Sequence, residues 1–536
     1  MANPSLQIGN SKWAIKEDSL LGYTELGNNI APVEIDMTRA SAGTRVNSSG
    51  LVETVELLGS EQVVNGDFAT DSDWGKETGW SISGGSGNCD GSQTGMSSLT
   101  PNANNVTNGV LYKATYTISN YSSGSIRIKL GNTGYGQYNS ANGTYTEYIT
   151  AIATSFPRSQ INADVDFIGS IDNVSVKEVT RNNLARVDYT GSTSSLLAEP
   201  QRTNLVTYSE VFSDSSWSNT GTTESIAASI TDPSGSNNSY KLIESSSTGF
   251  HFINTLTSTL SGANTLSFYA KSSERTQVSA FLSQSGNVGA IFDLSAETST
   301  PSGTGNTSTI ENVGNGWYRC VVSNNGSSQI SNNIRIGVQN GALDSYTGDG
   351  TSGVFIWGAQ VEQGSYATSY IPTSGSTVTR VQDQFSKTGI SDKINSAEGV
   401  LFVEMAALSD DGSERYIVLS DGTWNNRIQI SFISSNRITT RVNVSGSTQY
   451  NATDTVSDIT EYTRIALSWK EDDFKTYFNG VEVSSYGSGI VPNSNVLNGI
   501  YFGGDDGSVN RFFGKVKQLQ VFKTALTDSE LATLTT

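Results

Sequence analysis

The chain of 536 residues is longer than one hydrophobic core normally organises, so it is expected to divide into several domains of roughly 100–200 residues. Its composition is 35% hydrophobic and 15% charged with 54 glycines, which favours β-sheets joined by many turns over helical folds. The formal net charge of −19 argues against a nucleic-acid partner, because binding a phosphate backbone needs clustered Lys and Arg.

The amino-terminal residues 1–58 lack a full set of strand patterns. The sequence from Arg39 to Arg45 is typical of an ordered segment rather than of a low-complexity one. Its arginines suit docking on an acidic neighbouring protein. We interpret residues 1–58 as an attachment or assembly arm, with a strand pair packed on the first sandwich as the equal alternative. The sequence opens without a basic and apolar leader, and no stretch approaches the ~20 apolar residues of a membrane span, so no membrane insertion is expected.

Two similar segments mark the beginnings of two modules. Phe68 and Trp74, within a polar string rich in Asn, Asp and Ser, recur as Phe212 and Trp217 within a comparable string. Repetition of a module entrance within one chain indicates repetition of the structural unit that follows it.

The ends of the two modules are also similar. Residues 171–178 and 356–363 both alternate like a half-buried strand before a polar stretch. The repeat therefore predicts related sandwiches at 59–180 and 203–372, separated by a linker at 181–202.

The strands between these boundaries are short and alternating, as at residues 112–118, 125–130 and 265–270. Turns rich in glycine, asparagine and serine separate them. Short strands with this punctuation are typical of an antiparallel sandwich or jelly roll rather than of βαβ units.

A third module is predicted at 396–536, after a second linker at 373–395. Asn479-Gly480 lies between two alternating segments and predicts a hairpin, because both residues tolerate the positive φ of a type I′ turn.

One short helix is expected at the end of the chain. Thr527-Asp-Ser-Glu530 has the spacing of a capping box, and Leu526 and Leu531 are placed as a hydrophobic staple.

Four segments, residues 38–45, 197–210, 314–320 and 366–373, carry distinctive strings that together resemble bacteriophage structural proteins. Residues 61–179 resemble jelly-roll carbohydrate-binding modules, and residues 396–536 resemble the concanavalin A-like, laminin-G-type lectin/glucanase sandwich. The resemblance implies an all-β chain of tandem antiparallel β-sandwiches, with two jelly-roll modules, one concanavalin A-like sandwich and the amino-terminal arm.

The function implied by this resemblance is that of a non-enzymatic virion protein on the exterior of the particle. We expect a tail fibre or adhesin that binds host-surface polysaccharide, joins other virion proteins through the amino-terminal arm and forms a homo-oligomer, with a trimer preferred. Two alternatives remain open: a capsid-exterior decoration or head-fibre protein with a mainly structural role, and a polysaccharide depolymerase.

No catalytic residue is predicted. His251 is the only histidine, and its neighbours predict a strand rather than a triad. Sandwich glucanases resembling the third module carry Glu-x-Asp-x-x-Glu on one strand, whereas Glu404 stands alone. Glu34 and Asp36 match the opening of that motif, but the second glutamate is missing and the pair lies outside the predicted sandwiches.

A structural calcium ion is the one cofactor considered. Asp67 at the entrance and Asp172 on the closing strand of the first module are its candidate ligands, because calcium takes several oxygen ligands. The alternative is that both are solvated turn acids. In the second module Glu210 and Glu362 occupy comparable places, but Trp357 stands where Asp172 would fall, so no second calcium site is expected.

Sugar contact is expected from aromatic faces beside hydrogen-bonding side chains. The alternative for each candidate is packing within a core or turn, and this is the expectation for Trp317 and Trp469. The candidate carbohydrate-binding residues are Trp80, Tyr135 and Tyr138 in the first module and Trp424, Asp421, Asn425, Asp505 and Asp506 in the third.

Overall fold

Nearly all regular structure in the chain is antiparallel β-sheet, which confirms the predicted fold class. The computed structural model describes residues 3–26, 29–191, 193–258, 260–282, 289–324, 326, 332–341, 345–504 and 507–536. These residues include one α-helix, Asp528–Thr535, and none of their helices is long and apolar enough to cross a membrane. The chain divides into two compact units, Glu56–Arg181 and Met1–Val55 with Asn182–Thr536.

The unit Glu56–Arg181 is a sandwich of two sheets around one apolar core. Alternation along Leu111–Ser123 shows how the sequence produces it, because Tyr112, Ala114, Tyr116 and Ile118 point inward and the residues between them point outward. The strands of one sheet are Leu57–Glu61, Trp80–Ser83, Ser86–Asp90, Leu111–Ser123, Gly143–Thr150 and Ile168–Thr180; those of the other are Trp74–Lys76, Ser97–Pro101, Ile126–Leu130, Gly134–Tyr135 and Ser159–Ala163.

The second module is also a sandwich of two sheets around its own core. One sheet contains Trp217–Thr220, Phe252–Leu256, Gln277–Phe281, Gly289–Asp293, Thr298–Ser302 and Asn333–Gln339; the other contains Thr222–Ile226, Tyr240–Glu244, Asn264–Ser272, Asn306–Gly314, Trp317–Asn324 and Gly353–Gln363. Short strand pairs flank it: Thr44–Val46 with Val52–Thr54, Arg202–Asn204 with Val378–Arg380, and Thr248–Gly249 with Tyr346–Thr347.

The repeated entrances have the same local structure in both modules. The Phe68 and Trp74 ring centroids are 5.0 Å apart, and so are those of Phe212 and Trp217. Each tryptophan indole donates a 2.9 Å hydrogen bond to the backbone carbonyl nine residues earlier. The sequence repeat therefore encodes one closed loop whose aromatic pair seals the end of each sandwich core.

The third sandwich is assembled from both ends of the chain. Its apolar core includes residues of the amino-terminal segment, of residues 185–198 and of the carboxy-terminal third. Its strands are Leu6–Gly9, Ile15–Lys16, Ser19–Leu26, Asn29–Thr38, Arg186–Asp188, Ser195–Ala198, Gln384–Lys387, Glu398–Ala407, Arg415–Ser420, Arg427–Ile433, Arg437–Val444, Ser447–Thr455, Thr463–Lys470, Phe474–Phe478, Val481–Tyr486, Gly499–Tyr501 and Gly514–Phe522.

The predicted amino-terminal arm is wrong. Leu6–Gly9 pairs with Gly514–Phe522, and Asn29–Thr38 pairs with Gln384–Lys387. Leu6 and Ile8 are fully buried, so the segment contributes to the core of the third sandwich rather than to a separate arm or to the first sandwich. The partner strands lie hundreds of positions away along the chain, and no local sequence signal reports such a pairing.

The two predicted linkers also contain strands. Ser195–Ala198 pairs with Gly514–Phe522, and Gln384–Lys387 lies between strands of the third sandwich. Both strands have only four residues, which is too short for an alternation pattern to stand out.

Two local predictions in the third sandwich are confirmed. Asn479 and Gly480 both have positive φ, 46° and 86°, in the turn between two paired strands. Thr527 and Glu530 form a reciprocal capping box at the start of the helix. Core packing, which was expected for Trp317 of the second module and Trp469 of the third, is also confirmed, because both side chains are buried in apolar clusters.

An ionic cluster of five side chains, each at most 3% exposed, lies inside the larger unit. Arg39 pairs with Asp383 at 2.7 Å, Arg186 with Glu199 at 2.5 Å, and Arg380 with Glu199 at 2.9 Å, while Arg186 also pairs with Asp383. Arg39 is therefore unavailable for docking on a neighbouring protein, and that part of the sequence interpretation is wrong.

The cluster keeps its carboxylates ionised despite burial. Burial alone would raise the pKa of Asp383, but the charges of Arg186, Arg39 and Arg380 outweigh it and lower that pKa below its ordinary value. Breaking the pair by removing one partner would leave an uncompensated charge in the interior.

We predict that Asp383→Asn lowers the free energy of unfolding by about 3–5 kcal/mol, because two buried arginines lose their shared carboxylate. Urea denaturation of the full chain measures the change. Lys16→Ala is the control, since the Lys16–Glu34 pair is exposed and its loss should cost under about 1 kcal/mol. Equal effects of the two substitutions would contradict a stabilising role for the cluster.

The contribution of Asp383 to the free energy of unfolding should also decrease as the pH falls. Because its folded pKa is lowered, its stabilisation is fully present above the unfolded pKa of about 3.9 and declines as pH falls further toward the folded pKa. The difference in denaturation midpoint between the natural chain and Asp383→Asn should therefore shrink from pH 7 to pH 3. A difference that grows on acidification would refute this assignment.

Candidate functional site

The five-stranded sheet of the Glu56–Arg181 unit presents cations on its outer face. Along Ile126–Leu130 the residues Ile126, Ile128 and Leu130 are fully buried, so alternation directs Arg127 and Lys129 away from the core. The outer face of this strand is therefore positively charged on a chain that is strongly acidic.

The segment following Gly134–Tyr135 runs beside this strand. Gly136 N donates to the Ile128 carbonyl at 2.9 Å, and Asn139 N donates to the Ile126 carbonyl at 2.8 Å. Glu147 anchors the same segment by accepting a 2.7 Å hydrogen bond from Gln137 N. These bonds fix the backbone on both sides of position 127.

Tyr135 and Tyr138 meet at the Arg127 guanidinium, whose central carbon is 3.9 Å and 4.3 Å from their ring centroids. Cation–π contacts of this kind hold the rings in place while leaving 46% and 50% of the two tyrosines exposed. Arg127 has no carboxylate within 4 Å and no hydrogen-bond acceptor in the described part of the chain. The structure thus brings the two predicted tyrosines together around a cation that the sequence interpretation missed.

Polar side chains continue the surface across the sheet. Lys129 Nζ donates to Gln160 Oε1 at 2.8 Å, and Gln160 Nε2 donates to Thr100 Oγ1 at 3.1 Å. We call Arg127, Lys129, Tyr135, Tyr138 and Gln160 the tyrosine face. It combines exposed aromatic rings with amide and cationic donors, the groups that contact the apolar faces and hydroxyls of sugars.

Trp80 does not belong to this face, and its assignment as a carbohydrate-binding residue is wrong. Its side chain is only 7% exposed and lies in the core, with its ring centroid 6.4 Å from that of Phe167. Trp80–Ser83 is a strand whose residues alternate between the interior and solvent, and Trp80 takes an inward position.

Trp424 lies on a turn of the third sandwich and is 39% exposed. The Arg427 guanidinium lies 4.1 Å from its ring centroid, and Tyr416 contacts it edge-on with centroids 6.1 Å apart. Its orientation is therefore fixed, and part of the aromatic surface remains accessible.

Asp421 holds the turn that carries Trp424. It accepts hydrogen bonds from Thr423 N and Oγ1 at 2.9 Å and 2.7 Å, and from Asn426 Nδ2 at 2.7 Å. Asn425 is exposed beside the tryptophan. Asp421 thus positions the turn, while Asn425 is free to face a ligand; the predicted Asp505 and Asp506 lie outside the described residues.

The calcium candidates lie on adjoining segments, since Val174 N donates to the Gly66 carbonyl at 2.8 Å. Asp67 is exposed, and Asp172 accepts a 2.6 Å hydrogen bond from Asn173 N. Over the described ranges, no group of three or more His, Cys, Asp or Glu side chains is arranged to hold a metal ion. Calcium at Asp67 and Asp172 stays a prediction.

The third sandwich has a recognisable family relationship. Residues 401–532 match the concanavalin A-like lectin/glucanases superfamily, laminin-G type. This match confirms the predicted lectin-like architecture of the region, which we call the laminin-G domain. The matched residues include the turn that carries Trp424.

Parts of this chain are similar to solved structures of CBM and laminin domains. The CBM40 of Ruminococcus gnavus IT-sialidase bound to α2,3-sialyllactose is 15% identical with a TM-score of 0.24, over 26% of this chain and 83% of its own. The CBM22 tandem of Paenibacillus barcinonensis Xyn10C is 14% identical, TM-score 0.19, over 57% and 98%. Mouse laminin α1 domains LG4–5 are 13% identical, TM-score 0.19, over 53% and 88%. No curated protein matches the chain.

Glu404 of the laminin-G domain is held in ion pairs. Arg464 Nε and Lys517 Nζ lie 3.3 Å and 3.7 Å from its carboxylate, and Gln518 Nε2 donates to it at 2.9 Å. These partners tie the Glu404 carboxylate to the two strands that flank its own.

Glu34 and Asp36 lie in the strand Asn29–Thr38, which is hydrogen-bonded to Gln384–Lys387 of the third sandwich. The prediction that they lie outside any sandwich is therefore wrong. Glu34 pairs with Lys16 at 2.7 Å and Asp36 with Lys387 at 3.1 Å. His251 is buried, and its ring nitrogens lie 2.6 Å and 3.1 Å from two backbone carbonyl oxygens.

Proposed function

We propose that the chain is a non-enzymatic protein of a bacteriophage exterior, a tail fibre or adhesin that binds host-surface glycans and acts as a homo-oligomer with a trimer preferred. The phage context rests on the four segments that resemble phage structural proteins. The glycan-binding role rests on the tyrosine face, an exposed and pre-arranged aromatic pair set in a row of polar donors. Contact with other virion proteins is part of the proposal, although the amino-terminal strands cannot serve as a separate arm.

The physical argument for glycans concerns the two kinds of surface on a sugar. A pyranose ring has an apolar face that stacks on aromatic side chains and a rim of hydroxyls that needs hydrogen-bonding partners. Tyr135 and Tyr138 supply the first, and Arg127, Lys129 and Gln160 supply the second. Because cation–π contacts already fix the rings, little side-chain entropy is lost on binding.

The acids singled out from the sequence favour a binding role over hydrolysis. A glycosidase needs one carboxylic acid to protonate the leaving group and a second carboxylate as base or nucleophile. Glu404 is paired with two cations, and Glu34 and Asp36 are each paired with a lysine.

We predict that Tyr135→Ala combined with Tyr138→Ala weakens glycan binding about thirtyfold, which corresponds to the ~2 kcal/mol typical of an aromatic hot spot. A glycan array identifies the ligands, and calorimetry with the strongest oligosaccharide measures the change. Tyr148→Ala is the matched control, because Tyr148 is comparably exposed on the other sheet of the same unit. Unaltered affinity in the folded double variant would overturn the role of the tyrosine face.

Trp424→Ala tests the laminin-G domain separately. Loss of the partly exposed ring should weaken binding of the glycans held there by about thirtyfold, with thermal unfolding unchanged. Those glycans are recognised on the array because they persist in the double tyrosine variant. Val481→Ala, which removes an exposed apolar side chain from the same domain, serves as control. An array pattern identical to that of the natural chain would exclude Trp424 from sugar contact.

A further inference from the structure

The larger unit contains a cavity of about 360 Å³ at the junction of the second module and the laminin-G domain. Each of the four segments that resemble phage structural proteins contributes to its wall, although they are widely separated in the sequence. The volume lies in the range of small-molecule sites, about 300–1,000 Å³. Arg45, Glu199, Arg319 and Ser369 are lining residues from the four segments, one from each.

One side of the cavity is formed by the outer face of a second-module sheet. Glu311, Arg319, Tyr269 and Trp357 are successive cross-strand neighbours there. Glu311 is exposed, Arg319 is partly buried and Tyr269 is 3% exposed, so the row descends from the rim to the floor.

Tyr269 presents an unused hydrogen-bonding group on the cavity floor. Its ring is fixed by Trp357 and Tyr370, with centroids 5.2 Å and 6.2 Å away. Burial raises the pKa of Tyr269, so its hydroxyl stays protonated at neutral pH. Within the described ranges that hydroxyl makes no hydrogen bond to the protein, so it can donate to an acceptor on a ligand in the cavity.

Arg319 adds a positive charge near Tyr269, with its guanidinium carbon 5.8 Å from the centroid of the tyrosine ring. Its Nη2 donates to the Thr368 carbonyl and to Ser267 Oγ, while its buried Nε has no partner. No carboxylate lies within 4 Å of Arg319 among the described side chains. The floor therefore offers a guanidinium that makes no direct ion pair, while the carboxylates of Glu311, Glu362 and Glu199 act on it from beyond that distance.

The rim has the opposite character. Glu311 and Glu461 are exposed at the mouth, where their carboxylates can accept hydrogen bonds. Lys515 on the rim is already paired with Asp188 at 3.6 Å. A ligand that matches this arrangement carries one negative group at its inner end and hydroxyl donors at its outer end.

We propose that this cavity binds a carboxylate-bearing sugar residue, with the carboxylate against Arg319 and the Tyr269 hydroxyl, and the ring hydroxyls toward Glu311 and Glu461. A phosphate fits less well, because its charge near −2 is larger than that of a carboxylate and is repelled more strongly by the rim carboxylates. This site is distinct from the tyrosine face.

The test compares uronic acids with their neutral parents on the full chain. Saturation-transfer NMR titrations would use glucuronic acid against glucose and galacturonic acid against galactose, pairs that differ only in the carboxylate. At least one acid should bind ten times or more tighter than its parent. Arg319→Gln should abolish that preference, and Tyr269→Phe should weaken acid binding about two- to tenfold, the effect of one hydrogen bond.

The control is Tyr318→Phe, since the Tyr318 hydroxyl bonds to Glu297 on the neighbouring surface and should not affect binding. Tyr269→Phe keeps the packed ring and decides the matter if Arg319→Gln fails to fold. Equal binding of acids and parents, or a preference unchanged in Tyr269→Phe and Arg319→Gln, would overturn the proposal. Persistence of the acid preference in the double tyrosine variant separates this site from the proposed sheet-face site.

Discussion

The buried ionic cluster is the constraint on which the larger unit depends. Arg39 and Asp383 are 344 positions apart, and Arg186 and Asp383 are 197 apart, yet their side chains meet in the interior. Desolvating such charges is costly, so the arrangement is stable only when all partners are in place. The amino-terminal strands, the strands near residue 190 and the region before the laminin-G domain must therefore assemble together, which explains why residues interpreted as an arm and as linkers form one structure with it.

Features set by neighbouring residues could be predicted from the sequence, whereas features set by distant residues could not. The Asn479-Gly480 hairpin and the Thr527 capping box were predictable because a few adjacent residues determine each one. The pairing of Leu6–Gly9 with Gly514–Phe522 depends on residues at opposite ends of the chain, and Leu6 carries no mark of its partner. Arg39 was assigned to a docking surface because arginines are mostly exposed, whereas here the Asp383 carboxylate, from a distant segment, makes its burial tolerable.

The candidate sites were predictable to different degrees for a related reason. Tyr135 and Tyr138 follow a clear strand and lie in a glycine-rich segment, so their exposure could be anticipated. Trp80 also follows a glycine, but the side of the sheet that it faces depends on the register of its strand, and a shift of one residue reverses it. Arg127 could have been found, because the alternation of Ile126–Leu130 places it on the outer face; its contact with both tyrosines could not.

The two proposed sites differ in shape, and the shape bears on which part of a polysaccharide each one contacts. The tyrosine face lies on the outer side of a sheet, so a polymer can cross it and internal sugar residues can stack there. We infer that the cavity of about 360 Å³, which has the buried Tyr269 in its wall, takes a chain end or a short branch rather than a continuous strand. A sandwich fold permits both, because its sheets provide broad faces and its junctions with neighbouring segments provide enclosed space. Recognition of internal residues and of termini by one chain would make binding depend on two independent features of the same surface glycan, and this raises selectivity without requiring high affinity at either site.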